Sequence, residues 1–184
     1  MTEDELSHSI ETNEVHLTLW GKLNHYGIVG FICLIQVLLI SIMITNNING
    51  GTRSINELPI GGFIVATVLA YFFYKLQKRR LKFKSVETGL KRKEINDIIR
   101  GIAIELKWSL ESVTENYIVA KSQPSFLLAF GGEQITIIFD QNRVLVNSIC
   151  DPYNKSLVTY LGRNSRNMDK LLNKIKSRSE NIYN

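Results

Sequence analysis

The stretch YGIVGFICLIQVLLISIMI, Tyr26–Ile44, decides how the rest of the chain is read. It holds no charged residue, and neither does a second run, LPIGGFIVATVLAYFFY, Leu58–Tyr74. As helices, these 19 and 17 residues would be about 28 and 25 Å long, close to the roughly 30 Å of hydrocarbon in a bilayer. The pair reads as a transmembrane helical hairpin, with helices at about 26–44 and 58–74. The link Thr45–Glu57 is short, polar and rich in Asn and Gly, which suits a tight turn. Pro59 is tolerated in the first turn of the second helix.

Working outward, the second run is followed by Lys75, Lys78, Arg79, Arg80, Lys82 and Lys84 with no acid among them. Basic residues flanking a span stay on the cytoplasmic side. The expected topology is multi-pass in the cell inner (plasma) membrane, with both termini cytoplasmic. The basic segment 75–84 would also meet anionic lipid headgroups, each charge contributing about 1 kcal/mol.

Residues 1–25 carry five acids against Lys22 and read as an acidic cytosolic tail. There is no basic start of the kind a cleaved signal needs, so the first apolar run is expected to remain as an anchor. Leu17, Leu19, Trp20 and Leu23 are expected at headgroup level, where Trp is enriched. His8, His16 and His25 match no common metal-site spacing, and no metal is expected.

Inside the hairpin, Gln36 and Ser41 are the clearly polar side chains of the first helix. An amide in hydrocarbon seeks a partner, so Gln36 should face the second helix or another copy of the chain. Gly62, Ala66 and Ala70 recur at intervals of four and allow close helix approach. No ionisable group lies within either span, which argues against a pump or pore built from this chain alone.

The remainder, 85–184, reads as a cytosolic α+β domain. Ile95, Ile98, Ile99, Ile102 and Leu106 form one face of a helix at about 90–107. Trp108 and Leu110 lead into β-prone runs at Tyr117–Ser122, Phe126–Phe130, Gln134–Phe139 and Arg143–Ile149. Gly131-Gly132-Glu133 suits a hairpin turn. Short links require antiparallel neighbours, so these runs should form a meander. After a looser stretch to Gly162, a last helix capped by Asn164 or Ser165 would bury Met168, Leu171, Leu172 and Ile175 and fray from Ser179. The fold class is a two-layer α-β-β-β-β-α sandwich behind a helical hairpin. Its uncovered sheet face, with residues such as Ile118, Leu127, Thr136 and Ile138, would be half apolar and suited to docking. A sheet curled enough to bury much of that face is the other possibility.

Few residues carry chemistry. Cys150 lacks a histidine within 85–184 to act as its base, so no catalytic residue, cofactor or enzymatic activity is expected. Cys33 and Cys150 lie in different regions and are not expected to pair. The cluster Arg163, Asn164, Arg166, Asn167 at a helix start, with Asn147 and Ser148 approaching from the sheet, suits an anionic ligand. The sheet carries no stacking-aromatic signature, so nucleic acid is not an expected partner.

The stretch Asn147–Pro152, followed by Gly162-Arg163-Asn164, resembles a pattern in small uncharacterised bacterial membrane proteins with a C-terminal cytosolic α+β domain. The resemblance covers about the last hundred residues and implies no activity. The expected function is therefore that of an accessory or adaptor subunit acting through a protein partner or homo-oligomer. The alternative is a membrane-tethered sensor of an anion at Arg163–Asn167.

Overall fold

A computed structural model of the protein describes residues 1–48, 60–122, 132–152 and 163–183. The chain divides into two compact units: Met1–Asn24 with Arg80–Asn184, and His25–Arg79.

The second unit is helical. Helix α3 runs Gly27–Ile48 and α4 runs Ile60–Arg80. Neither carries an acid, and β-branched and aromatic side chains stand out along both, as at Val37, Ile42, Val65 and Phe72. Tyr26 and Tyr74 place their rings 5.6 Å apart, and an imidazole nitrogen of His25 lies 3.0 Å from the carbonyl oxygen of Gln77. The start of α3 thus lies beside the end of α4, so the two run antiparallel. Among the described residues, one helix is long and apolar enough to cross a membrane, over Gly27–Asn46. The transmembrane hairpin of two such helices is not shown, because only α3 passes that test; α4 ends in Lys75, Lys78, Arg79 and Arg80. Most of the expected turn 45–57, and Pro59, lie outside the described residues.

The first unit is α+β, with a five-stranded antiparallel sheet of order β1-β5-β4-β3-β2. The strands are β1 Lys84–Glu87, β2 Trp108–Val113, β3 Tyr117–Ser122, β4 Glu133–Asp140 and β5 Arg143–Cys150. Helix α5, Arg92–Leu106, separates β1 from β2, and α6, Arg163–Tyr183, follows β5. The expected order from α5 onward holds, but its strands differ. Trp108–Val113 is a strand in its own right, and β3 hydrogen-bonds directly to β4. Phe126–Phe130 and the stretch 153–162 lie outside the described residues, as do the side chains of Asn164 and Ser165 that were expected to cap α6. Strand β1 has no counterpart among the expected elements; it begins at Lys84, the last residue of the basic stretch. The tail expected to fray from Ser179 is helical to Tyr183.

One sheet face packs on α5 and α6. Ile118, Ala120, Ile135, Ile137, Val144 and Val146 meet Ile95, Ile99, Ile102, Leu171 and Ile175 there. Alternation along the strands sends Thr136, Ile138, Leu145, Asn147 and Ile149 to the other face. Ile118 therefore faces the helices, and the face expected to stand open is buried too: Ile138, Leu145 and Ile149 are 0–2 % exposed.

Among the described residues, hydrogen bonds reach this second face from the start of the chain and from Arg80 and Lys82. Helix α1, Glu3–Thr12, opens with a reciprocal cap: Glu5 N–H donates to Thr2 Oγ1 and Thr2 N–H to Glu5 Oε2. It closes at Asn13, whose φ of 54° is a left-handed conformation that Asn tolerates. Beyond it, Val15 N–H donates to the Leu81 carbonyl at 2.8 Å, and Phe83 N–H to the Asn13 carbonyl at 3.0 Å. Val15, Leu17, Leu81 and Phe83 are all buried. The Tyr117 hydroxyl, on this face, donates to the Met1 carbonyl at 3.1 Å. A short helix, α2, Leu19–His25, completes the segment.

Candidate functional site

The start of α6 and the nearby end of β4 and β5 hold the densest polar cluster. Its centre is Glu133, 2 % exposed and the first residue of β4. Its Oε2 accepts from Asn167 Nδ2 at 2.8 Å and from Ser148 Oγ at 3.3 Å, while its own N–H donates to Ser122 Oγ at 3.0 Å. A carboxylate near a helix start is favoured by the helix dipole. The chain thus places its own carboxyl side chain where an anionic ligand was expected. Of that expected site, Ser148 and Asn167 come together. Arg166 is exposed and makes none of these contacts, and the side chains of Arg163 and Asn164 lie outside the described residues. Asn147 is not with them. It points to the opposite sheet face, because successive strand residues alternate. Glu133 follows two glycines and by sequence alone reads as a turn residue.

Asn147 has another task. Fully buried, it donates through Nδ2 to the carbonyls of Arg80 at 2.8 Å and Lys82 at 2.9 Å. Two backbone acceptors of a segment with no full strand partner are thereby satisfied. The guanidinium of Arg80 is half-buried. Burial holds its pKa below the usual value, and Cys150 acts in the opposite sense.

The six basic residues from Lys75 to Lys84 do not form one surface. Lys75, Lys78, Arg79 and Lys82 are exposed, with Lys75 over the ring of Tyr71. Arg80 is drawn inward, and Lys84 pairs with Asp169 of α6 at 2.7 Å.

Gln36, Gly62 and Ala66 line one crevice between α3 and α4, with Phe31, Ile35 and Leu39 from the first helix and Phe63 and Leu69 from the second. Its volume is about 400 Å³. The Nε2 of Gln36 has no hydrogen-bond partner among the described residues. Ala70 is buried but does not line this crevice.

Cys33 is exposed and Cys150 half-buried, and neither is in a disulfide. His8 and His16 meet edge to face at 5.5 Å, and His16 Nδ1 lies 3.5 Å from Glu5. These two histidines belong to the same compact unit as Cys150. Among the described residues no three His, Cys, Asp or Glu side chains gather to hold a metal ion. No protein-family model, curated protein or solved structure matches the chain.

Proposed function

We propose that the protein is a bilayer-integral hairpin carrying a cytosolic α+β unit, and that it serves as a non-enzymatic accessory subunit through contacts made by its helices. The observation that carries this is the co-folding of the hairpin's two flanks. Residues Met1–Asn24 and Arg80–Asn184 build one compact unit. Two segments that fold together must lie on the same side of a membrane. If α3 crosses, the chain must cross again before Arg80, and α4 is the described helix placed to do so. Large apolar side chains exposed along both helices, Leu38 and Val68 among them, supply the surface lipid would cover. The basic residues after Tyr74 assign the shared side to the cytoplasm.

The contact surface lies in the membrane on this proposal. The second sheet face is buried at Ile138, Leu145 and Ile149, so this reading does not use it for docking. Nor does it use an anionic ligand at α6, where Glu133 already accepts from Asn167 and Ser148. What remains is the crevice with Gln36, whose amide donor would pair with an acceptor on a neighbouring helix. The neighbour is either a partner protein's helix or a second copy of this chain.

Cysteine labelling in intact cells tests the topology. In a variant lacking Cys33 and Cys150, an impermeant maleimide should label Asn49→Cys from outside and reach Glu3→Cys only after lysis. Labelling of both positions from the same side would overturn the hairpin. Cross-linking through Gln36→Cys then separates a partner subunit from self-association. A cytosolic or monomeric product would sink the accessory role.

A further inference from the structure

We infer that α2 is an interfacial helix, lying in the headgroup layer of a lipid bilayer with Leu19, Trp20 and Leu23 inserted. The inference rests on the membrane reading of α3 above and adds a surface which that reading leaves open.

The roll of α2 is fixed from inside its own unit. Gly21 is buried, and a Cβ there would stand 3.4 Å from Thr18 Oγ1 and 3.5 Å from Leu17 Cβ. These are ordinary contact distances, so this side of the helix packs on residues of its own unit. Asn24 Nδ2 donates to the Pro152 carbonyl at 2.8 Å. At 100° per residue, Leu19, Trp20 and Leu23 span an arc of about 100°, and Gly21 lies roughly 150° from its centre, with Asn24 between Gly21 and Trp20. Those three are 78 %, 63 % and 59 % exposed. Leu17, which sequence placed with them at the headgroups, is instead 3 % exposed and belongs to the protein interior.

The occupant of this outward face follows from chain length. Helix α2 ends at His25 and α3 begins at Gly27, with only Tyr26 between. Two residue steps reach about 7 Å at most. The last turn of α2 therefore cannot leave the zone where α3 enters hydrocarbon. An amphipathic helix held in that zone seats its apolar side chains roughly 5–10 Å into the headgroup and acyl boundary. Trp suits this depth, because its ring is apolar and its indole N–H needs a polar partner. Lys22, exposed beside the apolar arc, can reach phosphate at the same level.

Trp20 supplies its own reporter. The chain has two tryptophans, and Trp108 is buried. In full-length Trp108→Phe protein reconstituted in phosphatidylcholine–phosphatidylglycerol vesicles, Trp20 emission should be blue-shifted and shielded from iodide. Brominated lipids should quench it more strongly when the bromine is near the headgroup than near the bilayer centre. Water-like emission quenched by iodide would overturn the proposal. So would blue-shifted emission untouched by any brominated lipid, which would mean protein covers Trp20. A companion protein with Trp20→Phe, Trp108→Phe and Leu34→Trp reports on α3 alone. Deep bromine should quench it; if it does not, the membrane reading of α3 fails, whereas failure at Trp20 alone removes only the interfacial helix.

Discussion

The side-chain amide of Asn147 donates to the backbone carbonyl of Lys82 across 65 residues of sequence, and the same nitrogen reaches the carbonyl of Arg80. One fully buried side chain on a central strand thus serves both acceptors. Replacement by Leu keeps the volume and removes the donors. Asn147→Leu should lower stability by about 1–3 kcal/mol, the usual cost of leaving buried polar groups unsatisfied. Denaturant unfolding in detergent, followed by Trp108 fluorescence, measures it. An unchanged midpoint would mean that water reaches both carbonyls.

Ile137 and Ile138 are neighbours on β4, face opposite sides of the sheet, and are both fully buried. Ile137 packs under α5 and α6, and Ile138 lies on the face met by the start of the chain. Truncating either to Ala should cost about 2–5 kcal/mol, as buried Ile truncations do. Near-neutral Ile138→Ala beside a costly Ile137→Ala would show that the second face stands open in solution.

Glu133 occupies the position at α6 that sequence had given to a ligand. Inorganic phosphate should therefore leave the Tm of the wild-type protein unchanged. Glu133→Gln keeps the side chain's size, removes its charge, and should destabilise by about 1–3 kcal/mol because charge-assisted bonds from Asn167 and Ser148 are weakened. A rise in wild-type Tm with phosphate would restore the ligand site.

Glu105 and Lys170 pair between α5 and α6. The hydrogen bond from Lys170 holds the Glu105 carboxyl below its usual pKa. A lowered folded-state pKa means that the unfolded chain binds the proton more readily. The stabilisation is then present above the unfolded value of about 4.3 and is lost as pH falls through the folded one. The stability difference between wild type and Glu105→Gln should be small at neutral pH, because the pair is exposed, and should shrink toward zero in acid. A difference that grew on acidification would contradict the sign.

The helices of this fold were legible where a single face is buried. Ile95, Ile99 and Ile102 on α5, and Met168, Leu171, Leu172 and Ile175 on α6, announce their faces by spacing alone. Strands β3, β4 and β5 were legible from β-branched runs between turns. Strand β1 was not, because Lys84, Ser85 and Glu87 give four residues only one apolar anchor, Val86. The role of the first 24 residues was hidden for a different reason. Their acids suggest a solvated tail, and nothing local reveals that Val15 and Leu17 fill a gap beside residues far along the chain. The same holds for Glu133: a pair of glycines marks a turn, while a carboxylate's partners depend on tertiary packing. Asn147 and Ser148 are successive residues of β5 and point to opposite faces, so the two cannot serve one site.

The backbone bonds between Asn13–Val15 and Leu81–Phe83 bear on the order of assembly. The first 24 residues are translated before the hairpin, while Leu81, Phe83 and the sheet of the same compact unit are translated after it. During synthesis those early residues must wait, undocked, until about 150 residues are made. Loop closure over such a separation is slow compared with local helix formation. The hairpin is thus free to reach its final environment before the sheet exists, and the last step of folding belongs to the part of the protein that the ribosome made first.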